Sequence, residues 1–279
     1  MTAQDLHTLI EAFEARREAI DDEQDQALMA LALEECQAIR DHQDATEGDI
    51  LEGLLRVVAG PLVEGAQLAQ RECAKTLMAQ MSAASDDAKR AWGVSSWVAT
   101  ARCALRLEDS ELATQVLDAR GWCEAIEDSV LHGVVGLLAL ELTLQSPREQ
   151  SAHDAAFAAE QLERAVSGAV EGELEATTVA EWLEPLWRIY LGLGDVERAL
   201  GAARAWLSLE KSLGRMLRVC SAYAAIATLC DEQGARDQAL VAAQAWHAVA
   251  SAALEEHPDD GFLVQARADA EDAVASLSA

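Results

Sequence analysis

The chain has little of what would support a β-sheet, a disulfide framework or a membrane span. Only 4 of its 279 residues are proline, and aromatic residues make up 4%. Val and Ile do not alternate with polar residues as they do in half-buried strands. The longest uncharged apolar run, VLHGVVGLLAL (130–140), stops at Glu141, well short of the roughly 20 residues that a membrane helix needs. The N-terminal MTAQDLHTLI lacks the basic and apolar regions of a secretory signal, so we expect a cytoplasmic protein.

Basic residues are also scarce, and this excludes whole classes of partner. The chain carries 49 acidic residues against 21 basic ones, and residues 1–60 alone hold 15 acids and 4 bases. A field of this sign repels phosphate backbones and anionic lipid, so we expect neither a nucleic-acid nor a membrane partner. It is compatible with a basic partner, although an acidic, solvated surface explains the same charge. With three lysines against eighteen arginines and abundant Ala, the composition points to a GC-rich, bacterial genome.

The six cysteines and the missing motifs leave no sign of catalysis. No two cysteines form CxxC, so we expect buried, reduced thiols rather than a metal site or a disulfide framework. P-loop, GxSxG, GxGxxG and HExxH motifs are absent. The sequence therefore predicts no cofactor, no metal and no enzymatic activity.

One acidic motif keeps an enzymatic alternative open. Asp21, Asp22 and Asp25 fit DDxxD, in which carboxylates on one helix face hold Mg²⁺ against a diphosphate. A second acidic metal motif is lacking, so we interpret the three as ordinary acids near a helix start. An all-α Mg²⁺-dependent diphosphate enzyme remains the remote alternative. His132, inside the apolar run, is expected to be a hydrogen-bonded core residue.

What the chain has in quantity is helix-forming sequence. Ala makes up about a fifth of it, and apolar residues recur at helical spacing from end to end. We expect an all-α fold of about 12 helices, with one helix over about 124–145. Connections of two to six residues force neighbouring helices to be antiparallel. We predict a single domain over 1–279, with acidic N-terminal helices (1–60), its clearest repeats at 176–256 and a capping helix at 262–277.

One thirteen-residue segment of the sequence is repeated. GDVERALGAARAW (194–206) recurs forty residues later as GARDQALVAAQAW (234–246), and seven of thirteen positions agree. We expect the Gly of each copy to end a helix with positive φ. Ala199 and Ala239 permit two helices to approach closely, the other alanines form a small-residue face, and the closing Trp fills the space between hairpins. Such a two-helix unit buries its apolar face by stacking on its neighbour.

The stretch WLEPLWRIYLGLGDVERALGAARAW resembles a tetratricopeptide-type (TPR-like) repeat. The residues that match that family in order and spacing are Leu186, Tyr190, Gly194, Asp195 and Ala199. The next unit matches less fully, at Tyr223, Ile226, Gly234 and Ala239, and a fainter copy has Trp97, Ala101 and Ala113. The period of about forty is longer than the usual unit. The resemblance implies antiparallel hairpins stacked as a right-handed superhelix, whose first helices line a concave groove.

That groove implies a non-enzymatic scaffold or adaptor that binds a partner protein or a peptide segment. The alternative is a ligand- or peptide-sensing regulatory module acting on a separately encoded partner. A homodimer is compatible with either, because an exposed end of a helical array can stack on another copy. The carboxylate clamp of one TPR subgroup needs Lys and Asn where this chain has Glu184, Arg188, Thr228 and Glu232, so that clamp is not expected. If the partner carries carboxylates, the arginines of this region are the expected contacts. The candidate binding residues are Glu184, Arg188, Thr228, Arg215, Arg218 and His247.

Overall fold

The computed structural model describes residues 3–21, 23–41, 46–60, 67–171 and 174–279. Within these ranges the protein is all-α, with thirteen α-helices, one 3-10 turn and no strand. No helix in them is long and apolar enough to cross a membrane. The helices are α1 (Ala3–Glu18), α2 (Glu23–Asp41), α3 (Glu47–Ala59), α4 (Gln67–Ala83), α5 (Asp86–Leu107), α6 (Ser110–Asp118), α7 (Ser129–Gln145), α8 (Ser151–Glu171), α9 (Ala176–Gly192), α10 (Val196–Leu213), α11 (Met216–Glu232), α12 (Arg236–Glu256) and α13 (Gly261–Ser278).

The contacts divide the chain into two compact units. The first comprises Met1–Glu127 with Val134–Asp154, and the second comprises Asp128–Gly133 with Ala155–Ala279. Helices α7 and α8 are each divided between the units: residues 129–133 of α7 and 155–171 of α8 belong to the second unit, and the rest of each helix belongs to the first. The single domain over 1–279 that the sequence predicts stays a prediction.

The first unit is built around α5. This helix packs against α3, α4, α6 and the 3-10 turn Arg120–Cys123. Trp97 is fully buried on α5, and its indole Nε1 donates a hydrogen bond to the Val116 carbonyl of α6 at 2.8 Å. The turn between α5 and α6 has no glycine, and Glu108 takes the left-handed conformation there, with φ of 51°. The faint sequence copy at Trp97 thus corresponds to an α5–α6 hairpin.

The second unit contains a series of helices in which each packs on the next. Helix α9 packs on α10, α10 on α11, α11 on α12 and α12 on α13. Gly194, Gly214 and Gly234 end α9, α10 and α11 with φ of 79°, 68° and 72°. At each turn the residue after the glycine donates its N–H back to a carbonyl five residues earlier, as Asp195 does to Tyr190 at 2.9 Å. The positive φ predicted for the two glycines of the repeated phrase is therefore confirmed.

Two details of the sequence reading are wrong. The helix expected from residue 124 begins at Ser129, because residues 120–123 form a 3-10 turn and the Asp128 carboxylate accepts the Leu131 N–H at 2.8 Å. The small-residue face also does not include every alanine of the repeat. Ala199 and Ala239 are fully buried as expected, whereas Ala205 is exposed on the outer side of α10.

Candidate binding groove

An open cavity of about 600 Å³ lies in the second unit, along one face of α11. Helices α9 and α13 form its sides, and one residue of α12 reaches it. We call it the α11 groove. Its lining residues are Trp187, Leu191, Leu217, Cys220, Ser221, Ala224, Ala225, Thr228, Trp246, Phe262, Gln265, Ala266 and Asp269.

The groove arises from a contrast in side-chain size. On α11 the lining residues lie at i, i+3, i+4, i+7, i+8 and i+11 from Leu217, so they share one helix face. Most of them are small, as at Ala224 and Ala225, and they form a low floor. Large rings, at Trp187, Trp246 and Phe262, line the same cavity. Phe262 is 78% exposed and Leu217 is 41% exposed, so part of this apolar surface faces solvent. Exposed apolar surface that is concave and rimmed by polar residues is typical of binding sites.

Two buried polar groups in the groove lack a partner. The indole Nε1 atoms of Trp187 and Trp246 are shielded from solvent and have no hydrogen-bond acceptor within the described residues. A buried donor without an acceptor costs about 1–3 kcal/mol. The repeat explains Trp246. In the first copy, the Trp206 Nε1 donates to Glu210, four residues later, at 2.8 Å. In the second copy Ala250 takes the place of that Glu, so Trp246 loses its acceptor.

The cysteine in the groove is a poor nucleophile. Burial raises the pKa of the Cys220 thiol to about 11, so it is protonated at neutral pH. All six cysteines are free and buried, which confirms the expected buried thiols. Cys73 is typical of those in the first unit, where burial raises the thiol pKa to about 12.

Of the predicted binding residues, Thr228 lines the groove, and Arg188 contacts a lining residue without lining the groove itself. Thr228 lines the groove, and its hydroxyl donates to the Ala224 carbonyl at 3.1 Å. Arg188 lies over the ring of Trp187, 5.4 Å from the centroid, and donates to the Glu184 carboxylate at 3.0 Å. Glu184 also accepts from Arg218 of α11 at 2.9 Å. Glu184 therefore pairs with both of these arginines, and none of the three lines the groove.

Arg215 is bound to a buried carboxylate of the protein itself, that of Glu210. The Glu210 side chain is fully buried, and Arg215 donates to both of its oxygens, at 2.5 and 2.7 Å. Arg218 Nη1 lies 3.9 Å from the same carboxylate. Because a buried carboxylate needs compensation, Arg215 and Arg218 tie α11 to α10. Arg215 and Arg218, the expected contacts of an acidic partner, therefore form ion pairs within the protein.

His247, His132, Asp21 and Asp25 lie outside the groove. His247 is half-buried beside Trp246 and is not a lining residue. His132 is buried, and its Nδ1 lies 2.7 Å from the Gln161 side-chain oxygen, which confirms the hydrogen-bonded core residue. Asp25 is also buried, and it accepts the Ala69 N–H at 3.3 Å, while Asp21 is exposed. Asp22 is outside the described residues, and the described part contains no group of three metal-ligating side chains.

A second open cavity, of about 750 Å³, lies in the first unit between α4, α6 and the 3-10 turn. It is more polar than the α11 groove. Lys75 forms an ion pair with Glu111 across it at 3.1 Å, and Trp122 lies at its edge. Its charged groups therefore have partners within the protein.

Sequence reasoning found Thr228 in the groove but missed the apolar residues that α11 and α13 contribute. The signal was present, since Leu217, Cys220 and Ala224 repeat at helical spacing and so do Phe262 and Ala266. It could not be distinguished from a buried core face, because only the neighbouring helices decide which apolar stripe is covered.

Comparison with known proteins adds no assignment. No family model matches the chain, and no curated protein matches it.

Proposed function

We propose that the chain is a non-enzymatic, TPR-like adaptor whose second unit binds a segment of a partner protein in the α11 groove. The observation that carries the proposal is the groove itself. It lies along α11 with α9 at one side, and these two are the first helices of the hairpins α9–α10 and α11–α12. The other side is formed by α13, the helix that follows the last hairpin. The side chains that repeat proteins use for recognition occupy such first-helix positions.

The chemistry of the groove suits a protein ligand. Its rings offer the aromatic anchors that dominate protein interfaces, and Phe262 is exposed in the absence of a partner. The indole N–H groups of Trp187 and Trp246 have no acceptor within the described residues, so a partner oxygen that reached them would offset part of the cost of their burial. No charged pair has to be broken to reach the small residues of the floor.

A site-specific crosslink tests the proposal. A photoreactive p-benzoylphenylalanine at Ser221 on the groove floor is compared with the same residue at Gln244, which is exposed on the outer face of α12. We expect Ser221 to give one dominant adduct with another protein in native lysate and Gln244 to give none. Phe262→Ala should remove the Ser221 adduct, because Phe262 lies in the groove and its exposure makes the change mild for folding.

Two results would contradict the proposal. One is the same set of adducts from both positions, which would show unspecific contact. The other is a Ser221 adduct that survives Phe262→Ala, which would place the contact outside the groove.

One observation favours the sensing alternative. The groove volume of about 600 Å³ lies within the range of roughly 300–1,000 Å³ that is common for small-molecule sites. A regulatory ligand that binds only the folded state raises the melting temperature, and the rise grows with the logarithm of its concentration above Kd. A small molecule that does so in the wild type and not in Phe262→Ala would favour the sensor over the adaptor.

A further inference from the structure

The charges left free along the α11 groove are negative. Asp269 is the one charged lining residue, and it accepts a hydrogen bond from Gln265 at 2.7 Å. Beyond Thr228 the same face of α11 continues, at i+3 and i+4, to Asp231 and Glu232. All three carboxylates are exposed, and none has an ion pair within the described residues. This end of the groove thus carries uncompensated negative charge.

The cations near the groove are already bound within the protein or lie elsewhere. Arg236, at the start of α12, donates to the Ser276 and Leu277 carbonyls at 3.0 and 2.9 Å. Arg188 and Arg218 both bind Glu184, at 3.0 and 2.9 Å. Arg267 is on α13, but at 100° per residue it lies roughly 150° around the helix from the groove face. An acidic ligand would therefore meet no free cation along the floor. A second copy of this chain is a poor occupant for the same reason, since its net charge is −28.

The groove also favours a helix over an extended peptide. Its floor along α11, from Leu217 to Thr228, is about 16 Å long, which matches three helical turns or five extended residues. An extended peptide needs partners for its own N–H and C=O groups. The Ser221 and Thr228 hydroxyls donate to their own helix, at 3.1 Å each. The groove offers no strand edge, whereas a helix satisfies its backbone internally and needs only an apolar contact face.

We infer that the α11 groove selects a basic amphipathic helix from its partner protein. The apolar face of that helix packs on Leu217, Ala224 and Phe262, and its Lys or Arg side chains lie beside Asp269 and Glu232. The inference rests on the proposed function, and it names the chemistry of the partner that the groove accepts.

The test uses three labelled 18-residue model helices with one leucine face and a polar face of Lys, Gln or Glu. Binding to the full chain is measured by fluorescence anisotropy. We expect the Lys helix to bind about tenfold more tightly than the Gln helix, and the Glu helix more weakly still. Asp269→Asn combined with Glu232→Gln should weaken the Lys helix about fivefold, because each exposed ion pair contributes less than a factor of ten.

The control is a double variant with the same change in charge on the outer face of α12, Asp237→Asn with Glu255→Gln. Both of these residues are exposed and lie away from the groove lining. We expect it to weaken the Lys helix less than about twofold, since distant exposed charges are screened by salt. Neither double variant should change the affinity of the Gln helix. Phe262→Ala should weaken all three helices.

Several outcomes would overturn the inference. Equal weakening by the two double variants would show attraction to the overall field rather than to the groove end. Equal affinity for the Lys and Glu helices, with loss of both in Phe262→Ala, would remove the charge selection but leave the proposed function standing. Absence of binding by any helix would remove the inference, whereas the Ser221 crosslink decides the proposed function separately. A dimer that is seen by sedimentation and lost in Phe262→Ala would show that a second copy of the chain occupies the groove.

Discussion

Arg215→Met is expected to destabilise the second unit strongly, because it leaves the buried Glu210 carboxylate without its main partner. The Glu210 side chain is fully buried, and Arg215, which is 29% exposed, donates to both of its oxygens. Removal of one member of a buried ion pair costs about 3–5 kcal/mol. Two partners of Glu210 remain: the Trp206 indole donates a hydrogen bond at 2.8 Å, and the Arg218 guanidinium lies 3.9 Å away. We therefore expect a loss of about 2–3 kcal/mol in the free energy of unfolding, below the full penalty.

A second variant shows whether the cost comes from the stranded charge. Glu210→Leu combined with Arg215→Met removes both charges, and Arg218 keeps its pair with Glu184. What remains is the Trp206 indole without an acceptor, at a cost of about 1–3 kcal/mol. The double variant should therefore be no less stable than Arg215→Met alone, and clearly more stable than Glu210→Leu and Arg215→Met added together.

Urea unfolding of the full chain, followed by far-UV circular dichroism, measures these differences. Because the chain has two units, hydrogen exchange of the α10 and α11 amides locates the loss in the second one. The reasoning is refuted if Arg215→Met stays within about 0.5 kcal/mol of wild type, the range of an ordinary surface substitution. That result would return Arg215 to the role of a free binding residue. A double variant that costs the full sum of the two single changes would also refute it.

Two further predictions concern a turn and an ion pair. Gly234→Ala should lower the free energy of unfolding in urea by about 1–2 kcal/mol, because φ is 72° and the left-handed backbone is the penalty for a Cβ there. Gly201→Ala, inside α10, should instead raise it by up to about 1 kcal/mol. Equal effects of the two changes would contradict the turn argument. Burial raises the pKa of the Asp109 carboxyl, but hydrogen bonds from Arg71 and a backbone N–H lower it more, to below its usual value. Asp109→Asn, which keeps the α6 N-cap, should thus cost about 1 kcal/mol at pH 7, allowing for the partial exposure of Arg71. That difference should shrink as the pH falls from the ordinary carboxyl pKa of about 4 through the lowered pKa of the folded state; a difference that does not shrink below pH 4 would contradict it.

Much of the local structure could be predicted from the residues alone. The repeat region predicted at 176–256 begins with α9 at Ala176 and ends with α12 at Glu256, and the capping helix predicted at 262–277 is α13, Gly261–Ser278. These bounds are predictable because the apolar spacing is regular and a glycine or proline stands near each break. Gly194 and Gly234 take positive φ because they lack a Cβ. The buried thiols and the core position of His132 also follow from apolar neighbours in sequence. These features depend on interactions within one or two helical turns.

The groove was decided by tertiary structure. Trp206 and Trp246 occupy the same position in the repeated phrase, yet the first is 1% exposed and bonded to Glu210, while the second is half-buried and lines the groove. The sequence favours Arg215 and Arg218 as binding cations. Their partners, Glu210 on α10 and Glu184 on α9, lie on other helices, so the spacing along α11 does not reveal the two ion pairs. A residue's own helix determines which face it occupies. Whether that face is covered, charged or open depends on the helices packed around it, and their side chains are brought there only by the fold.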